Sequence, residues 1–193
     1  KTGTGKTKIL NDLIMNNYQV IDLENLANHR GSTFGGLGMT SQPTNEQFEN
    51  LLAENLIRLS KIETIFIEAE SANIGSCRIP HELFKQMKNA KRIEILQSKK
   101  NRIRELISTY SIFPSDELKS SVLRISKRLG PQRTKKAIDA IDNKNWEEVC
   151  NAVLEYYDKC YDYELAKNIK VSSINIQNKK DNEVIKLITR EFN

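Results

Sequence analysis

Cysteine is scarce in this sequence. The three present, Cys77, Cys150 and Cys160, are odd in number and form no C-x-x-C pair. That argues against a disulfide framework or a zinc site and for a reducing, cytoplasmic setting. No apolar stretch approaches the ~20 residues of a membrane helix, and nothing reads as a signal peptide, so no membrane association is expected. Internal repeats and low-complexity tracts are also missing. The sequence has no initiating Met and begins inside a motif. At least one upstream residue, and with it a whole strand, is expected to lie outside it.

What is present bounds the class. At 193 residues and 38% apolar content, the chain can bury the core of one α/β domain, or of a domain with a small appendage. Its charge is uneven. Between Lys85 and Lys136 there are 15 Lys and Arg against 4 Asp and Glu, leaving 15 basic and 21 acidic residues elsewhere. A net charge of +5 thus conceals a basic middle, the electrostatic footprint of a polyanion binder; a solvated Lys-rich surface is the plainer alternative.

The apolar pattern alternates between helix and strand. "KTKILNDLIMNN" places Ile9, Leu10, Leu13 and Ile14 at helical spacing, and "YQVIDLE" reads as a short strand ending in acids. "TNEQFENLLAENLIRLSK" predicts a helix with Phe48, Leu51, Leu52, Leu56 and Leu59 on one face, opened by Pro43 and a Thr44–Gln47 capping box. "ETIFIEAE" follows as a buried strand, "PHELFKQMKN" as a helix and "AKRIEIL" as a strand. This alternation predicts a P-loop NTPase-like α/β fold, a parallel sheet flanked by helices. From Lys99 onward the texture is helical, broken by Pro114, Gly130-Pro131 and Asn143, before "IKVSSINI" supplies a last strand and "DNEVIKLITREF" a helix from Asp181. The expected organisation is an α/β domain over 1–98 and 170–193, with a helical, basic subdomain over 99–169.

"KTGTGKT" is the end of a phosphate-binding loop. Successive backbone N–H groups curl around an anion, the Lys ammonium reaches the terminal phosphates, and the following helix points its positive end inward. Gly3, Thr4, Gly5, Lys6 and Thr7 fill those places, and the Thr7 hydroxyl is a candidate Mg²⁺ ligand. A chance G-K-T at a helix start is the bland alternative. Such a site takes a second acid from the end of a neighbouring strand. Glu68 or Glu70 after "IFI", and Asp22 or Glu24 after "VI", are the candidates, with Glu68 also a candidate Mg²⁺ ligand; strand-end acids can also merely cap helices. The stretch "LANHRGSTFGGLGMTSQP" packs four of the chain's eight glycines into residues 31–38. Arg30 offers a bidentate fork for phosphate beside Gly31 and Ser32, and His29 a hydrogen bond or a proton. A binding or catalytic loop is expected here, against the alternative of a flexible surface loop. Cys77, without an activating partner, reads as inert.

Together these segments resemble the P-loop domain family of tRNA 2-selenouridine synthases, which replace sulfur by selenium in a wobble 2-thiouridine of tRNA. The resemblance is carried by "GTGKT", by "DLENLANHRGSTFGG" followed by "QPTNEQFE", and by "EAESANIG" with "IP" behind it. It continues through Arg102 before Tyr110, "RLGPQR" and "YYDKCY", over nearly the whole chain. It implies a transferase acting through an S-geranylated thiouridine made from geranyl diphosphate, which selenophosphate converts to selenouridine. The loop then holds a prenyl diphosphate and not ATP, although ATP remains open, as does a requirement for Mg²⁺. Lys6, Arg30, Glu68, Glu70 and His29 become candidate catalytic residues. Arg102, Arg104, Arg128, Gln132, Arg133 and Lys135 become candidate tRNA contacts. The family also has a rhodanese domain with a catalytic Cys. None of the three cysteines here lies in such a loop, so a rhodanese domain or subunit is an expected partner, as in split archaeal versions whose AT-rich composition this chain shares. A small-molecule or nucleoside kinase and a non-catalytic tRNA-binding module are the rival readings.

Overall fold

A computed structural model describes residues 1–166 and 171–192. The chain forms two compact units, Gly5–Glu94 with Lys170–Asn193, and Lys1–Thr4 with Ile95–Ile169. The first is mixed α/β and the second is built of helices.

In the α/β unit, helix α1 (Lys6–Met15) starts from Gly5, whose φ of 77° no L side chain adopts readily. At 100° per residue Ile9, Leu10 and Leu13 form one narrow stripe, and all three are buried. Ile14 lies past the edge of that stripe and is half exposed, against expectation. Strand β1 (Gln19–Ile21) ends where Asp22 turns to cap α2 (Leu23–Leu26), its carboxylate accepting the Asn25 N–H at 2.9 Å. The expected strand therefore stops short of Glu24.

Helix α3 (Asn45–Ile57) opens as its capping residues dictate, with the Thr44 hydroxyl accepting the Gln47 N–H at 3.2 Å. Phe48 and Leu52 are buried and Leu51 and Leu59 partly so, but Leu56 is exposed. The helix closes on Arg58, so the final turn anticipated to Lys61 does not form. Strand β2 (Ile65–Ile67) pairs in parallel with β1, with Gln19 opposite Ile65 and Ile21 opposite Ile67. A hairpin of β3 (Asn73–Ile74) and β4 (Cys77–Arg78) follows, then α4 (His81–Asn89) and β5 (Arg92–Leu96). The core gathers Ile21, Leu23, Phe48, Leu52, Ile74 and Ile79. Cys77 belongs to it, fully buried, and burial pushes its thiol up from the ordinary cysteine range. That is a packing residue, not a nucleophile.

The helical unit comprises α5 (Lys99–Tyr110), α6 (Ser115–Arg124), α7 (Ser126–Leu129), α8 (Pro131–Asp142) and α9 (Trp146–Ala166). Pro131 sits at the first turn of α8, where its missing N–H costs nothing. Leu118, Val122, Leu129, Ala137, Ile141 and Leu154 are buried. The long stretch read as one helix from Ser115 is interrupted at Ile125.

The α/β unit is completed by β6 (Val171–Asn175), paired with β5, and by α10 (Asp181–Arg190) against α1, where Lys8 pairs with Asp181. Ile169 and Lys170, anticipated as the start of β6, lie outside the described residues. Among the described residues the strands form three two-stranded sheets, and the continuous parallel sheet expected is represented by short pairs. The ladders are short because polar residues leave them early. Asp22 caps α2, and beyond Ile67 the Glu70 N–H folds back onto the Glu68 carbonyl at 2.9 Å.

Candidate anion-binding site

Both strands of the parallel pair release acidic residues at their C-terminal ends, the edge at which ligands of open α/β sheets bind. In the α/β unit these acids meet the first residue of α1. The Lys6 Nζ lies 3.1 Å from Glu70 Oε1, and the Glu70 side chain is only 7% exposed. Glu68 is buried too. Its Oε1 accepts the Glu24 backbone N–H at 2.7 Å, while its Oε2 has no hydrogen-bond partner. Burial, reinforced by Asp22 and Glu24, pushes the Glu68 carboxyl up to about 8. Burial also raises Glu24, to about 7, against the pull of Lys6.

The glycine-rich loop closes over these groups. Gly31 has a φ of 68°, and a Cβ there would stand 2.6 Å from Glu70 Oε2 and 2.7 Å from Glu24 Oε1. A side chain there would be strained by the backbone and would have to push both carboxylates aside. The loop is tightly bonded to itself, with the Arg30 N–H on the Gly35 carbonyl at 3.1 Å and the Ser32 N–H on the Arg30 carbonyl at 2.8 Å. The Ser32 hydroxyl accepts the Phe34 N–H, and the Arg30 guanidinium donates to the Leu37 carbonyl at 2.8 Å. This is a built turn rather than a slack linker. His29 is pushed toward the neutral imidazole, chiefly by burial, and its Nδ1 has no partner.

The structure thus brings together Lys6, Arg30, Gly31, Glu24, Glu68 and Glu70, with Asp22 and His29 beside them. Thr7 is exposed on the first turn of α1. Among the described residues no group of three or more His, Cys, Asp or Glu side chains could hold a metal ion. A magnesium ion bound with a phosphate needs only one or two protein oxygens, and the orphaned Glu68 Oε2 and the Thr7 hydroxyl fit that smaller demand. Gly3 and Thr4 belong to the helical unit, where the Thr4 hydroxyl donates to the Lys1 carbonyl at 2.9 Å.

The candidate tRNA contacts all lie in the helical unit, with unequal surroundings. Arg104, Gln132 and Lys135 are exposed. Arg128 is exposed and donates to the Tyr156 hydroxyl at 3.4 Å, and Arg133 forks onto Glu155. Arg102 is 6% exposed and its guanidinium is spent on Asp158 and the Thr2 carbonyl. Buried and held on all three nitrogens, it is not offered to a nucleic-acid phosphate. Asp158 was not singled out from the sequence, because 56 residues separate it from its partner and no local pattern joins them. The basic middle is also diluted by these acids, since the helical unit carries 15 Lys and Arg against 11 Asp and Glu.

A glycine-flanked Lys opening a helix, with acids at the ends of two parallel strands, defines a mixed α/β domain of the P-loop-like kind. The family model described as the tRNA 2-selenouridine synthase AAA domain matches residues 1–193, and the chain belongs to that family. Curated relatives carry the name tRNA 2-selenouridine synthase. That of Pseudomonas syringae pv. syringae is 33% identical over 84% of this chain and 52% of its own length. That of Pseudomonas putida strain W619 is 35% identical, with the same coverage of both chains. That of a Sulfurovum species is 32% identical over 87% of this chain and 53% of its own. The chain spans about half the length of these relatives, which are bacterial and not archaeal. No solved structure matches. Among the described residues no helix is long and apolar enough to cross a membrane.

Proposed function

We propose that this chain is the anion-binding component of a tRNA-modifying transferase that converts wobble 2-thiouridine to 2-selenouridine through an S-geranyl intermediate. The observation that carries the reading is the Lys6–Glu70 pair at the start of α1. An ammonium there rests on a carboxylate oxygen, which occupies the place a phosphate oxygen would take.

On this reading Gly3, Thr4, Gly5, Lys6 and Thr7, with Arg30, Gly31 and Ser32, receive the diphosphate of geranyl diphosphate. The thiocarbonyl sulfur of the base attacks the allylic carbon, the C–O bond breaks, and the diphosphate leaves with the electron pair. Lys6 and Arg30 gather its charge, so electrostatic stabilisation of the leaving group supplies most of the acceleration. Magnesium, held by Thr7 and Glu68, would add to that neutralisation. Glu70, released by Lys6, or His29 takes up the proton that the base loses on alkylation. Selenophosphate selenium then displaces the geranylthiolate at C2, so that the C2–S bond breaks as the C2–Se bond forms, and hydrolysis of the P–Se bond releases phosphate, with a rhodanese domain or subunit as partner in the full reaction. Exposed Arg104, Arg128, Gln132 and Lys135 of the helical unit, with half-buried Arg133, hold the tRNA by its phosphates, and the unpaired wobble base is splayed into the site.

The test is nucleoside mass spectrometry after incubating the full-length protein with 2-thiouridine tRNA and geranyl diphosphate. Geranylated thiouridine is the expected product, and Lys6→Ala removes it. Unchanged thiouridine, with ATP turnover stimulated by a small metabolite, would replace this reading by the kinase. Full activity of Lys6→Ala would reduce the chain to a tRNA-binding module.

A further inference from the structure

Arg102 is the most deeply buried cation to which the proposed reaction gives no role. Its guanidinium makes a two-point contact with Asp158 on α9, at 2.6 Å from Nη2 and 3.0 Å from Nη1. The third nitrogen, Nε, donates to the Thr2 carbonyl at 2.8 Å. The residue after Thr2 is pressed against the same helix turn. Gly3 has a φ of 74°, and a Cβ on it would stand 2.8 Å from the Arg102 carbonyl and 3.2 Å from the Leu106 side chain. Lys1 is tied to α9 as well, through Asp162 at 2.7 Å. All these contacts lie within the helical unit.

We infer that Arg102 is a positioning residue for anion binding: anchored by Asp158, it fixes the Thr2 carbonyl and the Gly3 backbone, the first residues of the phosphate loop. The chemistry favours this over a purely structural ion pair. Asp158 engages only two of the guanidinium's three nitrogens, and a buried Arg–carboxylate pair adds little net stability over apolar side chains of similar volume. What apolar side chains cannot reproduce is a donor aimed at a main-chain carbonyl two residues before a loop whose N–H groups must converge on one anion. A lysine fails too, because one ammonium cannot serve both oxygens of Asp158 and the Thr2 carbonyl. This inference rests on the anion-binding reading of Lys1–Thr7.

The experiment is paired titration of the full-length protein with inorganic pyrophosphate and with tRNA, alongside thermal unfolding. The double variant Arg102→Met, Asp158→Leu removes the charges together, so its unfolding midpoint stays near that of the unaltered protein. Its pyrophosphate affinity falls about tenfold or more, while tRNA affinity stays within about twofold. Arg102→Lys weakens pyrophosphate binding similarly and decides the matter if the double variant does not fold. Unchanged pyrophosphate affinity in a folded variant would overturn the inference and leave the anion-binding reading standing. Loss of tRNA affinity with a shallower salt dependence and unchanged pyrophosphate binding would overturn it in favour of an RNA contact. Failure of the unaltered protein to bind pyrophosphate would bring down the reading and the inference together.

Discussion

Two buried charges in this chain are treated in opposite ways. In the helical unit Arg102 has all three of its guanidinium nitrogens occupied, by Asp158 and by the Thr2 carbonyl. In the α/β unit Glu68 is equally buried but half satisfied, with one oxygen on the Glu24 N–H and the other on nothing. A buried polar atom without a partner costs free energy that a scaffold would avoid. The saturated cation therefore belongs to the framework that shapes the chain, and the unsaturated acid marks where a ligand, a proton or a metal ion belongs.

This contrast is broken most directly at Lys6. Lys6→Ala is expected to lower diphosphate-dependent turnover by about 10²–10³-fold, measured by nucleoside mass spectrometry. The same change leaves Glu70 buried without its cation and costs roughly 1–3 kcal/mol of stability. Adding Glu70→Gln recovers stability but not turnover. Recovery of both would remove Lys6 from the chemistry.

Asp158→Ala tests the other side. Stripping one partner from a buried pair costs about 3–5 kcal/mol, read as a lower denaturant midpoint. A loss under ~1 kcal/mol would mean that Arg102 finds water, and that its burial is not what holds it.

The third test is pH. Glu24 and Glu68 bind protons more tightly folded than unfolded, with folded values of about 7 and about 8. Their contribution is present in full below the ordinary carboxylate range and is lost as pH rises through 7 and 8. The unfolding midpoint should therefore drop by several degrees between pH 5 and pH 8.5, and Glu68→Gln should flatten the drop. An unaltered slope in that variant would place the titration elsewhere. The smallest effect is expected at the surface. Glu155→Ala frees Arg133, changes stability by less than ~1 kcal/mol, and should steepen the salt dependence of tRNA binding slightly.

Most of the local structure was legible in the residues. Thr44 caps α3, Asp181 opens α10 and Gly5 precedes α1, because caps act across three or four residues and leave their signature in order. The glycine-rich loop and the strand-end acids were also legible as a group, since a parallel strand pair delivers both acid sets to one edge. The pairings were not. That Gly31 sits against Glu24 and Glu70, and that Arg102 is consumed by Asp158, depends on segments far apart in the chain. A basic residue reads the same in sequence whether it faces solvent or an acid 56 positions away. Charge density between Lys85 and Lys136 therefore overstated what the surface offers to a polyanion. Leu56 and Ile14 erred for a smaller reason. Periodicity shows that a helix has an apolar face, but the width of its neighbour decides how much of that face is covered.

The three cysteines differ enough to make the chain easy to label. Cys77 is sealed in the α/β core, and burial raises Cys150 to about 11. Cys160 lies exposed on α9, two residues beyond the aspartate that anchors Arg102. Within residues 1–193, a maleimide dye or spin label added at neutral pH should therefore couple at Cys160 in preference to Cys77 and Cys150. Such a reporter would sit on the helix that carries Asp158, close enough to register its adjustment when pyrophosphate or tRNA arrives.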